Sequence, residues 1–289
     1  MPEWIQLDGL VNLRDVGGVP TTDGGVITSG VLLRSDNLQD LSDADLAELA
    51  RRDLTDVVDL RSDIEVTSTG PGPMTRQPGV RIHHHSMFIE RHHPGRPVTS
   101  ADPQTAPEPV DPQPADTASD QARANDPLPW ADLAQSQDHQ DPITAHYLSY
   151  LADRPDSAVA ALRVIAGATG ATLVHCAAGK DRTGTVVALA LLLAGAEPEA
   201  VVADYAATTE RIELILDRLI ATDIYRSNLV GRPVASHNAR PEVMRALITH
   251  INTRFGGVEP MLAAMGWTAT DTRNLRGRLR ADRHVRSGS

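Results

Sequence analysis

The sequence predicts an α/β fold, a central sheet flanked by helices with a helix-rich C-terminal half. Three observations predict it. In the first third of the chain, short Val/Leu runs alternate with a helical pattern. At residues 171–195 an apolar run, "ATLV", passes through a polar turn into a second one, "TVVALALLLAG". From Ile143 onward, apolar residues recur at i, i+3 and i+4. Alternation of this kind is what packing helices on a sheet requires.

Taken in order, "WIQLDGLVNLRDVGGV" and "GGVITSGVLLRSDNL" read as short strands broken by Gly turns, the opening of a β-meander. "LSDADLAELARRDL" begins with a Ser42 N-cap and spaces Leu46, Leu49 and Leu54 as a helix does. "TDVVDLRS" reads as a buried strand and "GVRIHHHSMF" as a further one. After Ile143, "ITAHYLSYL" and "SAVAALRVIAGA" are helical. The helix that follows the polar turn ends at Gly195 and Pro198, and "PEAVVADYAATTERIELILDRLIAT" supports one or two more. Residues 240–279 give two or three helices separated by Gly256-Gly257 and Gly266. No internal repeat is present, and residues 1–289 are expected to form one domain.

Composition breaks abruptly at Glu90. Residues 90–142 hold ten of the twenty prolines and no sustained hydrophobic period. Such a stretch buries too little apolar surface to offset its ordering entropy, so it is expected to be an irregular acidic insertion. Its one apolar patch, "LPWADLA", suggests a lid over a pocket.

The net charge is −11, from 27 basic and 38 acidic residues. That balance argues against nucleic-acid binding through phosphate neutralisation. One cysteine excludes an internal disulfide. The N-terminal residues lack a basic start followed by an apolar run, so no signal peptide is expected. The longest apolar run is too short to cross a bilayer. Cytoplasmic residence is the expectation, with signal-peptide-independent secretion as its alternative; the oligomeric state is open.

The single cysteine lies in "HCAAGKDRTG", residues 175–184, at the strand-to-helix turn. Five residues separate Cys176 from Arg182. A loop that short must curl and turn successive N–H groups inward, forming a nest for a tetrahedral dianion at the positive end of the next helix. A thiol held there is favoured as thiolate, the nucleophilic form. Arg182 is planar and permanently charged, suited to gripping two phosphoryl oxygens. Gly179 permits the turn, Gly184 lets the helix approach the core, and Ala177, Ala178, Gly179 and Lys180 supply the rim that meets substrate. Thr183 is placed to donate its hydroxyl to the sulfur. His175, at a buried strand end, is expected to bond backbone. A nucleotide P-loop is excluded, because Val174 stands where its first Gly is required and Asp181 follows Lys180.

"HCAAGKDRTG" resembles the signature H-C-x-x-G-x-x-R-[ST] of the cysteine-dependent tyrosine and dual-specificity phosphatases, and its Lys-Asp pair resembles a bacterial branch of that family. "NLRDVGG", "LLRSDNL", "LTDVVDLRSDIEV", "VVADY" and "GGVEPML" follow in the family's order, so the likeness spans nearly all of the chain except the insertion. The resemblance implies a phosphatase-like fold and a two-step reaction without metal or other cofactor, in which Cys176 becomes phosphorylated and water then releases phosphate. It implies phosphotyrosine, phosphoserine or phosphothreonine proteins, or phosphoinositide head groups, as partners. Lys180 is similar to the lysine in the C-x-x-G-K-x-R signature of phosphoinositide phosphatases.

The resemblance favours Asp181 as the general acid; the alternative is a carboxylate that pairs with Lys180 or caps the helix. Asp132, in "PWAD", echoes the mobile Trp-Pro-Asp loop of eukaryotic relatives, with Trp130 as a hydrophobic anchor instead. Asp59 is a third candidate, against a structural bond to Arg61. Asn12, Arg14 and Asp15 form either a solvated turn or, as the resemblance suggests, a buttress for the phosphate loop. His83, His84 and His85, with His92 and His93 nearby, do not suggest a metal site, since neighbours on a strand face opposite ways. Against an enzyme stand two alternatives: a phosphate-binding module on the same fold, and a sulfur-transfer or arsenate enzyme with the same loop.

Overall fold

The computed structural model describes residues 3–89 and 141–280. Six strands form one mixed sheet: β1 (Glu3–Trp4), β2 (Arg14–Asp15), β3 (Leu32–Ser35), β4 (Leu54–Asp59), β5 (Arg81–His84) and β6 (Ala171–His175), in the order β1-β2-β3-β6-β4-β5. The first three are antiparallel, joined by the Gly turns the sequence announces. From β3 to β5 the pairing is parallel. Parallel strands are covered on both faces, which is why β4 and β6 read as apolar runs rather than alternating ones. In register, Ser35, His175 and Asp59 line up across the carboxyl ends of β3, β6 and β4. That edge is where open α/β sheets carry ligands.

Helices α1 (Asp43–Arg51) and α2 (Asp63–Thr69) flank the first half, each opened by a capping box, Ser42 with Asp45 and Ser62 with Glu65. Next come α3 (Pro142–Asp153), α4 (Pro155–Gly167) and α5 (Asp181–Leu193). The C-terminal half continues with α6 (Pro198–Ala207), α7 (Ile212–Ala221), α8 (Asp223–Leu229), α9 (Pro241–Phe255), α10 (Val258–Ala264) and α11 (Ala269–Leu279). α5 is buried almost all round, the pattern of a central helix. It leaves the end of β6 and carries the candidate site at its first turn. Gly256 and Gly257 at φ +78° and +129° separate α9 from α10, and left-handed Gly195 follows α5.

β5 stands where the further strand was expected, at the sheet edge with Ile82 exposed. Two details differ from the sequence reading. α2 and α8, seven residues each, are too short to show a helical period. Pro142 is already the first residue of α3, where its fixed φ suits N1 and its missing N–H costs nothing.

Candidate active site

Residues 176–180 join β6 to α5, and three outside donors dictate their conformation. The backbone N–H of Asn37 bonds the carbonyl of Ala177 at 3.0 Å, Asn12 Nδ2 bonds that of Ala178 at 2.9 Å, and Arg34 Nη2 bonds that of Gly179 at 2.8 Å. In a trans peptide the N–H points opposite to its carbonyl. Pulling three successive carbonyls outward therefore turns the N–H groups of Ala178, Gly179 and Lys180 inward, forming a nest. Gly179 has φ +67°, and a Cβ there would lie 2.3 Å from the Ser35 carbonyl oxygen, so only glycine fits. α5 adds its own positive end at the same point.

Arg182 closes the ring from the first turn of α5. Its guanidinium is 1 % exposed and pairs with Glu65 in a two-pronged contact, Nη1 to Oε2 at 2.5 Å and Nη2 to Oε1 at 2.9 Å. Burial lowers the arginine's pKa, but the Glu65 carboxylate, followed by Cys176, more than offsets this, and the net direction is upward. Glu65 is fixed in turn by the Ser62 N–H at 2.7 Å and the Tyr225 hydroxyl at 3.0 Å. Phe88 lies beneath the guanidinium, its ring centroid 5.0 Å from Cζ. Nε of Arg182 is buried without a hydrogen-bond partner among the described residues. Sequence reasoning missed Glu65, although S-D-I-E after β4 is a capping-box signature.

A second ion cluster holds the outer side. Asp204, on α6, accepts from Arg14 Nε at 2.9 Å and Arg34 Nη1 at 2.5 Å. Arg14 also donates to Asn12 Oδ1 at 2.6 Å. Asn12 and Arg34 are two of the three donors to the phosphate loop, so Asp204 acts on that loop through both. Burial, then the Arg34 charge, lowers Arg14 to about 10, with Asp204 opposing. Burial raises Asp204, but the two arginines bring it below its ordinary value.

A family model described as "Tyrosine phosphatase family" matches residues 5–281. The chain belongs to the tyrosine phosphatase family. It is 30 % identical over 290 residues to the triple specificity protein phosphatase PtpB of Mycobacterium tuberculosis, covering 95 % of this chain and 98 % of that one. A tyrosine-protein phosphatase of Nostoc commune is 30 % identical over 122 residues, 40 % of this chain and 42 % of that one. The protein is accordingly a phosphatase, a hydrolase.

The cleft of this phosphatase is narrow, with a cavity volume of about 30 Å³. Cys176, Lys180, Asp181 and Arg182 lie on its floor, while Ile212, Ile215, Leu216 and Leu219 of α7 form an apolar wall. Arg218 ties α7 to the loop after β3 through Asp36 and Asp40. Lys180 Nζ donates to the His237 carbonyl at 2.8 Å and lies 3.6 Å from Asp181 Oδ1. The Tyr147 hydroxyl also bonds Asp181 Oδ1.

The remaining candidates are dispersed. Thr183 Oγ1 is buried and makes no hydrogen bond among the described residues, Cys176 included. His175 Nδ1 lies 3.3 Å from the Cys176 carbonyl oxygen, and burial lowers its pKa to about 4. Asp59 is held by Arg61 through Nε and Nη2, at 3.0 and 2.6 Å, and lies 3.7 Å from His175 Nε2; it lines no part of the cleft. Burial raises Asp59, yet His175 and Arg61 carry it well below the ordinary carboxylate range.

Asn12 reaches the phosphate loop directly and Arg14 only through Asn12, while their neighbour Asp15 does not reach it. Its carboxylate accepts from the N–H groups of Gly17 at 2.8 Å and Gly30 at 2.5 Å, pinning the hairpin between β2 and β3. His83 bonds Asp56 at 2.8 Å and His84 bonds the Arg61 carbonyl at 2.7 Å, so the two point apart. Asp132, Trp130, His92, His93 and the lid reading of residues 90–142 fall outside the described residues, apart from Asp141 and Pro142. Among the described residues, no group of His, Cys, Asp and Glu is arranged to hold a metal, and no helix is long and apolar enough to cross a membrane.

Proposed function

We propose that this phosphatase hydrolyses phosphotyrosine, phosphoserine and phosphothreonine in proteins, and phosphoinositide head groups as a second class, through a phosphocysteine on Cys176. One observation carries the reading: the three carbonyls of residues 177–179 are held outward, and Arg182, whose buried Nε makes no hydrogen bond among the described residues, lines the same cleft as the chain's single cysteine. The nest and the guanidinium bind the phosphoryl oxygens and stabilise charge as it spreads in the transition state. Cys176 Sγ attacks phosphorus in line, the P–O ester bond breaks, and protonated Asp181 gives its proton to the departing oxygen. Water then attacks the phosphocysteine, returning its proton to Asp181, and the S–P bond breaks to release inorganic phosphate and thiolate. Thr183, whose hydroxyl makes no hydrogen bond among the described residues at rest, turns it to that sulfur as it leaves. The whole chain, 1–289, acts as one catalytic domain interrupted by the 90–142 insertion.

The apolar wall formed by α7 suits an aromatic ring behind the phosphate, and the mycobacterial relative is named a triple specificity protein phosphatase. Turnover of p-nitrophenyl phosphate tests the chemistry: it is expected to be vanadate-sensitive and abolished in Cys176→Ser, with phosphate binding retained. Binding by the wild type without turnover would instead mark a phosphate-binding module. Lys180→Ala assayed on phosphopeptides and inositol lipids tests the second class. Selective loss on lipids assigns the lysine to head-group binding, and equal loss on all substrates rejects that role.

A further inference from the structure

Asp181 occupies the first position of α5 with its side chain turned toward α3. Tyr147 of α3 is fully buried, and its hydroxyl meets Asp181 Oδ1. The same hydroxyl lies 2.8 Å from that of Tyr205, on α6. A phenol has one proton. Tyr147 gives its proton to Asp181 Oδ1, so its oxygen accepts the proton of Tyr205, and the pair forms a directed chain ending on one carboxyl oxygen. Lys180 Nζ approaches the same oxygen, at 3.6 Å. Both neighbours thus engage Oδ1 rather than Oδ2. A tyrosine with its hydroxyl only in contact with apolar atoms would leave the carboxyl free to rotate and exchange its two oxygens.

We propose that Tyr147, backed by Tyr205, is the positioning residue of the general acid: it holds Asp181 Oδ1 as an acceptor and so assigns the transferable proton to Oδ2. The inference rests on the phosphocysteine reading with Asp181 as proton donor. In the first step the Oδ2–H bond breaks and the proton passes to the ester oxygen as its bond to phosphorus breaks. In the second, a proton of the attacking water returns to Oδ2. Tyr147 keeps its proton throughout. Burial, then the Asp181 charge, raises its phenol well above the ordinary value, so it remains a donor.

Phenylalanine at 147 preserves the buried ring and removes only the hydroxyl. Proton donation matters most for poor leaving groups, so the assay is kcat/KM over a series of aryl phosphates that ends in phosphotyrosine peptide. Tyr147→Phe is expected to lose roughly ten- to hundredfold on the poorest leaving groups, part of the roughly 10² to 10⁴ that a general acid supplies, and little on the best ones. Asp181→Asn is expected to lose the full amount with the same slope, and Tyr147→Phe added to it is expected to cost nothing further.

A wild-type leaving-group slope in Tyr147→Phe beside a steep one in Asp181→Asn overturns the positioning role alone. A wild-type slope in Asp181→Asn overturns the acid assignment beneath it. A uniform loss across the series marks Tyr147 as a packing residue only and also overturns the proposal. Should Tyr147→Phe fold poorly, Tyr205→Phe leaves the direct bond to Asp181 intact. It is expected to show the same selective pattern at smaller amplitude, and a flat response there rejects the chain.

Discussion

The floor of the cleft rests on a buried polar lattice in which Arg182, Glu65, Arg34 and Asp204 each find a charged partner, whereas its wall is a row of aliphatic side chains along one face of α7. The floor shapes the backbone by pulling three carbonyls outward, and each of its ions is tolerable only because another one faces it. Removing one partner leaves the other charged and out of water, which costs far more than the pair contributes. The wall has no such dependence. Each methyl group adds its own increment, and losses there are graded. The same distinction should separate variants that abolish the site from variants that retune it.

The largest effect is expected in Glu65→Ala. It strands the Arg182 guanidinium and removes the carboxylate that accepts from the Ser62 N–H in the capping box of α2, a loss of about 3–5 kcal/mol in urea unfolding, accompanied by collapse of turnover. A loss below about 1 kcal/mol would show that the floor is as graded as the wall. Asp204→Asn should follow, at about 3 kcal/mol, because Arg14 and Arg34 then face each other without a neutralising charge. Turnover should fall with it as Arg34 loses its hold on Gly179. Retained turnover in a destabilised Asp204→Asn protein would separate that cluster from the phosphate loop.

Acid should act on the buried groups around the site as well. Burial holds His175 near 4, with Asp59 opposing, and holds His146, a buried residue of α3, near 4, with Asp181 opposing. Both are neutral in the folded protein, while unfolded histidine protonates at about 6.5. The unfolded chain therefore binds more protons between about pH 6.5 and about pH 4, so stability is intact above that window and drains away as pH falls through it. Each histidine accounts for up to about 3 kcal/mol at the acid end. Urea midpoints at about pH 7 and about pH 4.5 should differ less in His175→Gln than in the wild type; an unchanged difference removes that histidine from the linkage. The smallest effect belongs to the wall. Leu216→Ala should cost about 2 kcal/mol and raise KM for aryl phosphates more than it lowers kcat.

What the sequence discloses follows the same division. The periodic elements were legible: the "ATLV" strand, the capped α1, the helices after Ile143 and the amphipathic α7 all show in local spacing. The ten-residue string at 175–184 placed the turn, and the structure puts Cys176, Lys180, Asp181 and Arg182 on one cleft floor. The partners of that string were not legible. Glu65 is 117 residues from Arg182, and Tyr147 is 34 from Asp181. Asp204 is 190 from Arg14. Single carboxylates and tyrosines acquire such roles only when the fold brings them together, and no local pattern marks them. The capping box at Ser62 was the one available signal for Glu65, and it announced a helix rather than an ion pair. Asp15 shows the converse, since adjacency to Arg14 suggested a shared task and the alternation of a strand sent the two to different ones.

The central claim is that a covalent bond to phosphorus forms at Cys176. Rapid quenching of the full-length enzyme during turnover of an aryl phosphate, followed by mass measurement of the peptide that contains residue 176, tests it directly. The account predicts one added phosphoryl group on Cys176 that accumulates in Asp181→Asn with good leaving groups and is absent from Cys176→Ser. Steady turnover with no phosphoryl group on that peptide, or wild-type turnover in Cys176→Ser, would contradict it.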